Sequence, residues 1–174
     1  MRYITFLRAI NVGNHTVKMD HLRKLFGQMG FTKVETFIAS GNVIFETRVT
    51  NVAALEIRIE RALEKALGYE VGVFIRSCAE VAAIAAYQPF DLPADCKLHV
   101  AFLKAGVEKS IRQKLEALRT KDDDFHANQR ELYWMTRGSF GQSPAAVPLG
   151  KLVGAIGTMR NVTTVRKLAA KYPA

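Results

Sequence analysis

The sequence predicts an α+β fold made of two related halves, and three observations carry that prediction. Over residues 1–76, short apolar runs and longer stretches of helical periodicity follow one another in the order β-α-β-β-α-β. Glycines and prolines fall at the boundaries between these runs, where they punctuate structure. From residue 97 to the end a second series, β-α-β-β-α, echoes the first without its last strand. The first series is the split βαβ order of ferredoxin-like folds.

Taken in order, Tyr3 to Ala9 reads as a buried strand, followed by the loop Asn11-Val12-Gly13-Asn14-His15. Met19, Leu22, Leu25, Phe26 and Met29 then repeat on one helical face, with Asp20 in the first turn, where a negative charge suits the helix dipole. Gly30 stops that helix as a C′ residue. Val34 to Ala39 and Val43 to Thr47 are two strands, with Gly41-Asn42 expected as a two-residue type II′ hairpin turn. Leu55, Ile59, Ala62, Leu63, Ala66 and Leu67 define a second helix, with Glu56, Arg58, Glu60, Arg61 and Glu64 largely outside. Gly68 ends it, and Val71 to Arg76 is the fourth strand.

Residues 77–96 connect the halves through a helical segment, Cys78 to Tyr87, and a stretch containing Pro89 and Pro93. In the second half, 97–174, Leu98 to Lys104 is a strand and Ile111, Leu115 and Leu118 mark a helix. Asp124 to Asn128 and Leu132 to Thr136 form a hairpin around Gln129-Arg130. Gly138 to Gly150, rich in Gly, Ser and Pro, reads as a loop. Val162, Val165, Leu168, Ala169 and Tyr172 mark a final helix.

The 174 residues, 49% of them hydrophobic and 24% charged, suffice for a sizeable core. The longest apolar runs, such as Val81 to Ala86, fall short of the roughly 20 residues that span a bilayer. No signal-peptide pattern opens the chain, so a cytoplasmic location is expected. Cys78 and Cys96 are too far apart for a metal knuckle or redox pair and read as reduced, mostly buried thiols. His15, His21 and His99 have no metal-ligand spacing. No motif implies a metal or a particular cofactor. Net charge is +9, and from Leu132 onward there are six basic residues and no acidic one. Such a basic segment suits anionic partners, whether small molecule or nucleic acid.

The segments Phe6-Leu7-Arg8-Ala9-Ile10-Asn11-Val12-Gly13, Val17-Lys18-Met19 and Phe37 to Phe45 carry a family resemblance. So do Asp123-Asp124-Phe125-His126, Glu131 to Trp134, and Thr158 to Leu168. Together they resemble the domain of unknown function 1697 family over nearly the whole chain. The resemblance implies a two-part α+β fold and brings no established activity. Two positions depart from the pattern: Ala9 stands where the family usually has Gly, and Val162 where many members have Trp.

In a split βαβ sheet the third strand lies between the first and second and is antiparallel to both. The end of the first strand then meets the start of the third, bringing Arg8, Asn11 and Gly13 near Ser40, Gly41 and Asn42. The first helix starts at the same edge, adding its free N–H groups and Lys18. This is the favoured place for an anionic ligand, with turn closure by Asn11, Asn42 and the glycines as the competing explanation. The loop is neither a Walker P-loop nor a G-x-G-x-x-G dinucleotide loop.

Arg160, Asn161 and Lys167 form a second candidate. Arg160, Thr164, Lys167 and Lys171 are spaced to line one basic face, with Thr158 or Asn161 capping the last helix. A third is Asp122-Asp123-Asp124-Phe125-His126, where alternation sends Asp124 and His126 to one face for metal or acid-base chemistry. Three function classes follow: a binder or enzyme of an anionic small molecule, an RNA- or DNA-binding protein, and a structural protein pairing through a sheet edge. Asn42 to Thr47 lacks the aromatic RNP1 pattern that stacks bases.

Overall fold

The computed structural model describes residues 1–11, 16–38 and 41–174, which form two four-stranded antiparallel sheets and six α-helices. The chain packs as two compact units, Met1–Ala83 with Leu168–Ala174, and Ile84–Lys167.

In the first unit β1 (Arg2–Arg8), α1 (Met19–Gln28), β2 (Thr32–Phe37), β3 (Asn42–Glu46), α2 (Val52–Leu67) and β4 (Gly72–Ser77) follow in the expected order. The sheet order is β2-β3-β1-β4, so β3 lies between β1 and β2 as the sequence argument required. Each boundary has a physical cause. Gly30 and Gly68 take the left-handed conformation, with φ of 82° and 81°, just past α1 and α2. Asn51 caps α2 by accepting the Ala54 N–H at 3.0 Å. Tyr3, Leu7, Val43, Phe45, Val73 and Ile75 form the helix-facing side of the sheet, packed with Phe26, Leu55, Ile59 and Leu63.

β4 is an edge strand, and it is closed in an unusual way. The N–H groups of Val73, Ile75 and Ser77 donate to the carboxylates of Glu60, Glu56 and Glu80 at 3.0, 2.9 and 2.8 Å. Glu56, expected outside its helix, is therefore only 3% exposed. Three carboxylates occupy the donors that another strand would use.

The second unit contains β5 (Cys96–Leu103), α4 (Lys109–Glu116), β6 (Asp123–Asn128) and β7 (Glu131–Arg137). It continues with α5 (Ala146–Ile156) and β8 (Gly157–Asn161), and its sheet runs β6-β7-β5-β8. Helices α3 (Cys78–Ala86) and α6 (Val162–Lys171) follow β4 and β8. The stretch expected as a loop from Gly138 to Gly150 instead contains a 3-10 turn, Phe140–Gln142, and the start of α5. β8 supplies the strand the sequence reading lacked, so the second unit also runs β-α-β-β-α-β. Gly157 permits its pairing, because a Cβ there would lie 2.6 Å from the Phe102 carbonyl oxygen.

Candidate functional site

The end of β1 does meet the start of β3. Phe6 pairs with Asn42, and the Leu7 N–H donates to the Gly41 carbonyl at 2.8 Å. Gly41 has φ of 74°, and a Cβ there would come within 2.5 Å of Ile10 Cγ2. Only glycine fits that approach. Asn42 is fully buried in β3, where its Nδ2 donates to the Phe37 carbonyl at 2.9 Å and closes the hairpin. The expected two-residue Gly41-Asn42 turn is thus corrected: β2 ends at Phe37, β3 begins at Asn42, and residues 38–41 connect them.

Asn11 Oδ1 accepts the Val17 N–H at 2.6 Å, tying together the two ends of its loop. Arg8 lies against β4: it pairs with Gly72, its guanidinium sits 5.9 Å from the Phe74 ring centre, and it reaches Glu70 at 3.6 Å. Gly13 and Ser40 lie outside the described residues. Asn11, Gly41 and Asn42 therefore build the framework at this end of the unit.

Lys18 is exposed and occupies the N-cap position of α1, which has no side-chain cap. Next to it is an open groove lined by Thr16, Val17, Lys18, His21, Ala66, Leu67 and Tyr69. One wall is the first turn of α1 and the other the end of α2. Tyr69 donates to the Ile10 carbonyl at 3.1 Å, fastening the groove to the end of β1, and burial raises its phenol pKa. Asp20 in the same turn is paired with Arg23. Sequence reading had Lys18 but not Thr16, His21 or Tyr69. The i, i+3 spacing of Lys18 and His21 was a legible signal, whereas nothing local marks Tyr69.

Arg160 lies in β8 and not on a helical face. Its Nη1 donates to Thr158 Oγ1 at 3.0 Å and to the Met159 carbonyl at 2.8 Å, and burial pushes its pKa down to about 10. Asn161 caps α6 as expected, accepting the Thr163 N–H at 2.8 Å. Lys167 is exposed on α6. Within the first unit, Lys171 reaches Glu35 at 3.5 Å. The expected basic face thus loses Arg160 to the sheet.

The acidic run serves structure. Asp123 is buried and accepts from Trp134 Nε1 at 2.9 Å, Ser143 Oγ at 2.7 Å and Thr120 Oγ1 at 2.8 Å. Burial raises its pKa, but these hydrogen bonds outweigh it and hold the carboxyl below its ordinary value. Asp124 pairs with Arg119 at 2.8 Å, and His126 Nε2 lies 2.9 Å from the Tyr87 hydroxyl. No cluster of three metal-ligating side chains occurs among the described residues. Cys78 is buried, Cys96 half-buried, and both are free thiols with pKa values raised by burial.

Ring burial in the first sheet and the state of two sheet edges, β4 and β6, bear on base stacking and edge pairing. Tyr3, Val43 and Phe45 on one face of the first sheet, and Ile4, Phe6, Ile44 and Phe74 on the other, are all buried. Bases cannot stack on rings that are not exposed. Edge pairing is blocked at β4 by the three glutamates. At β6, the carbonyls of Phe125 and Ala127 accept from Arg119 and Arg112 at 2.9 and 3.4 Å. Among the described residues, no helix is long and apolar enough to cross a membrane.

The family model described as protein of unknown function (DUF1697) matches residues 1–133. No curated protein matches the sequence. The structure is similar to that of the conserved bacterial protein SP0830 from Streptococcus pneumoniae, with a TM-score of 0.80. The two chains are 24% identical, the likeness covering 99% of this chain and 98% of that one, which shows a shared fold. The chain belongs to the DUF1697 family.

Proposed function

We propose that this DUF1697 protein binds a small anionic ligand, a nucleotide or a phosphorylated metabolite, where the β1/β3 end of the first unit meets the start of α1. The observation that carries the reading is the groove at the uncapped N-terminus of α1, lined by Thr16, Lys18, His21 and Tyr69. First-turn N–H groups and the positive end of the helix dipole favour an anion there, and Lys18 adds a full charge. Thr16 supplies a hydroxyl for orientation, and Tyr69, its own proton committed to the Ile10 carbonyl, forms part of the wall. Asn11, Gly41 and Asn42 hold the surrounding loops in place, and Arg8 contributes positive potential from the end of β1. The reading puts the protein in the cytoplasm, where such ligands are abundant, and assigns no reaction.

Dye-monitored melting against nucleotides and phosphorylated metabolites tests it. At least one compound should raise the melting temperature, and Lys18→Ala with His21→Ala should abolish the shift without lowering the unliganded value by more than about 4 °C, since two surface substitutions cost within about 0.5 kcal/mol each. A flat panel, or a shift that survives both substitutions, contradicts the proposal.

A further inference from the structure

We infer that the outer face of α2 is a docking surface for an acidic amphipathic helix of a partner protein. Two of the other faces of α2 already have partners. Leu55, Ile59 and Leu63 are fully buried in the core of the first unit, and Glu56 and Glu60 are spent on the edge of β4. The remaining face is a shallow groove lined by Ala54, Ile57, Arg58, Arg61, Ala62 and Lys65.

Its chemistry is specific in two ways. The floor is carbon: Ile57 is 48% exposed, with Ala54 and Ala62 one turn or so on either side. Small residues flanking a larger one form seats into which the ridge of another helix fits. The charged residues that line the groove's rim, Arg58, Arg61 and Lys65, are all positive, with exposed Glu64 at the margin beyond Ile57. Arg58 is held in place, stacked 5.2 Å from the Phe31 ring centre and donating to the Met29 carbonyl. Arg61 and Lys65 are exposed and have no ion-pair partner among the described residues.

From residue 54 to 65 the face extends about 16 Å along the axis, or three turns of a partner helix. An occupant with one apolar stripe and Asp or Glu flanking it satisfies both floor and rim. A nucleic acid would leave the carbon floor without a stacking partner or a base contact. A membrane would gain little from a single isoleucine and two alanines, with no aromatic anchor on the face.

The test uses the full chain and a fluorescein-labelled 18-residue peptide with leucines at i, i+4, i+7 and i+11 flanked by glutamates. Saturable binding is expected by anisotropy, weakened at least tenfold by Arg61→Glu with Lys65→Glu, and separately by Ile57→Asp. A peptide of equal charge with serine at the leucine positions should bind at least tenfold more weakly. No binding at 200 µM peptide (about 5 kcal/mol of affinity) overturns the inference. So does equal binding of the serine peptide, which would show general attraction of polyanions. Sedimentation with phosphatidylcholine–phosphatidylserine vesicles that is lost in Ile57→Asp would assign the face to a membrane instead and also overturn it. All three substituted side chains are exposed, and an unchanged melting temperature separates lost binding from lost folding.

Discussion

Replacing Asp123 by alanine removes one carboxylate that receives hydrogen bonds from Trp134, Ser143 and Thr120. The three donors are not equivalent. Thr120 is exposed and Ser143 half-buried, so water can replace their lost acceptor, but Trp134 is fully buried and its N–H is left without one. An orphaned buried donor costs about 1–3 kcal/mol, and hydrogen bonds to a charged group contribute about 1.5–3 kcal/mol each. Relief of carboxylate desolvation offsets part of that sum. The expected net loss is about 3 kcal/mol. With a urea slope of about 2 kcal/mol/M, the midpoint should fall by roughly 1.5 M. Trp134 is the only tryptophan in the chain, so its fluorescence reports unfolding at the site of the change. Asp124→Ala is the control. Its pair with Arg119 is about half exposed and should contribute under about 1 kcal/mol. Equal midpoint shifts for the two substitutions, or none for Asp123→Ala, would refute the structural role given to Asp123.

Ala9 adopts a φ of 64°, a left-handed conformation that suits glycine, and Ala9→Gly should raise stability by about 0.5–1 kcal/mol in the same urea assay. Gly41→Ala should lower it by more than about 2 kcal/mol, from the positive φ together with the contact on Ile10. His99 is buried against Trp134 and Phe140, its Nδ1 has no hydrogen-bond partner among the described residues, and burial lowers its pKa to about 4. Because the folded value is the lower one, the neutral ring's contribution is complete above about pH 6.5 and is lost as pH falls toward 4. The loss reaches about 3 kcal/mol at most, and His99→Gln should flatten that part of the stability profile. Glu56→Ala with Glu60→Ala should cost about 2–4 kcal/mol by leaving the N–H groups of buried Val73 and Ile75 without acceptors, and should increase self-association in light scattering. A strictly monomeric, equally stable double variant would contradict the edge-closing role of these carboxylates.

Much of the fold was legible because strong local signals agreed with packing. Gly30 and Gly68 fell where helices end, and the apolar periodicity of Leu55 to Leu67 gave α2 its buried face. The elements that escaped did so for identifiable reasons. The start of α5 contains Pro148 and Gly150, which fall in the stretch that reads as a loop, yet Pro148 sits in the first turn, where no N–H is needed for a helical bond. Leu149, Val153 and Ile156 carried its i, i+4, i+7 signal. β8 has a single large apolar residue, Met159, so periodicity could not mark it; its pairing depends on Gly157 lying close to Phe102. In the site, the convergence of β1 and β3 followed from topology. That Glu56 turns to β4, that Asp123 holds Trp134, and that Tyr69 borders the α1 groove depend on contacts remote in sequence, which no local pattern records.

Amide chemical-shift mapping with inorganic phosphate and then adenosine monophosphate tests the anion-binding account most directly. The account predicts saturable perturbations at Thr16 and in the first turn of α1, Met19 to His21, that disappear in Lys18→Ala. Absence of perturbation at 20 mM phosphate or nucleotide, or perturbation confined to Arg58, Arg61 and Lys65, would contradict it.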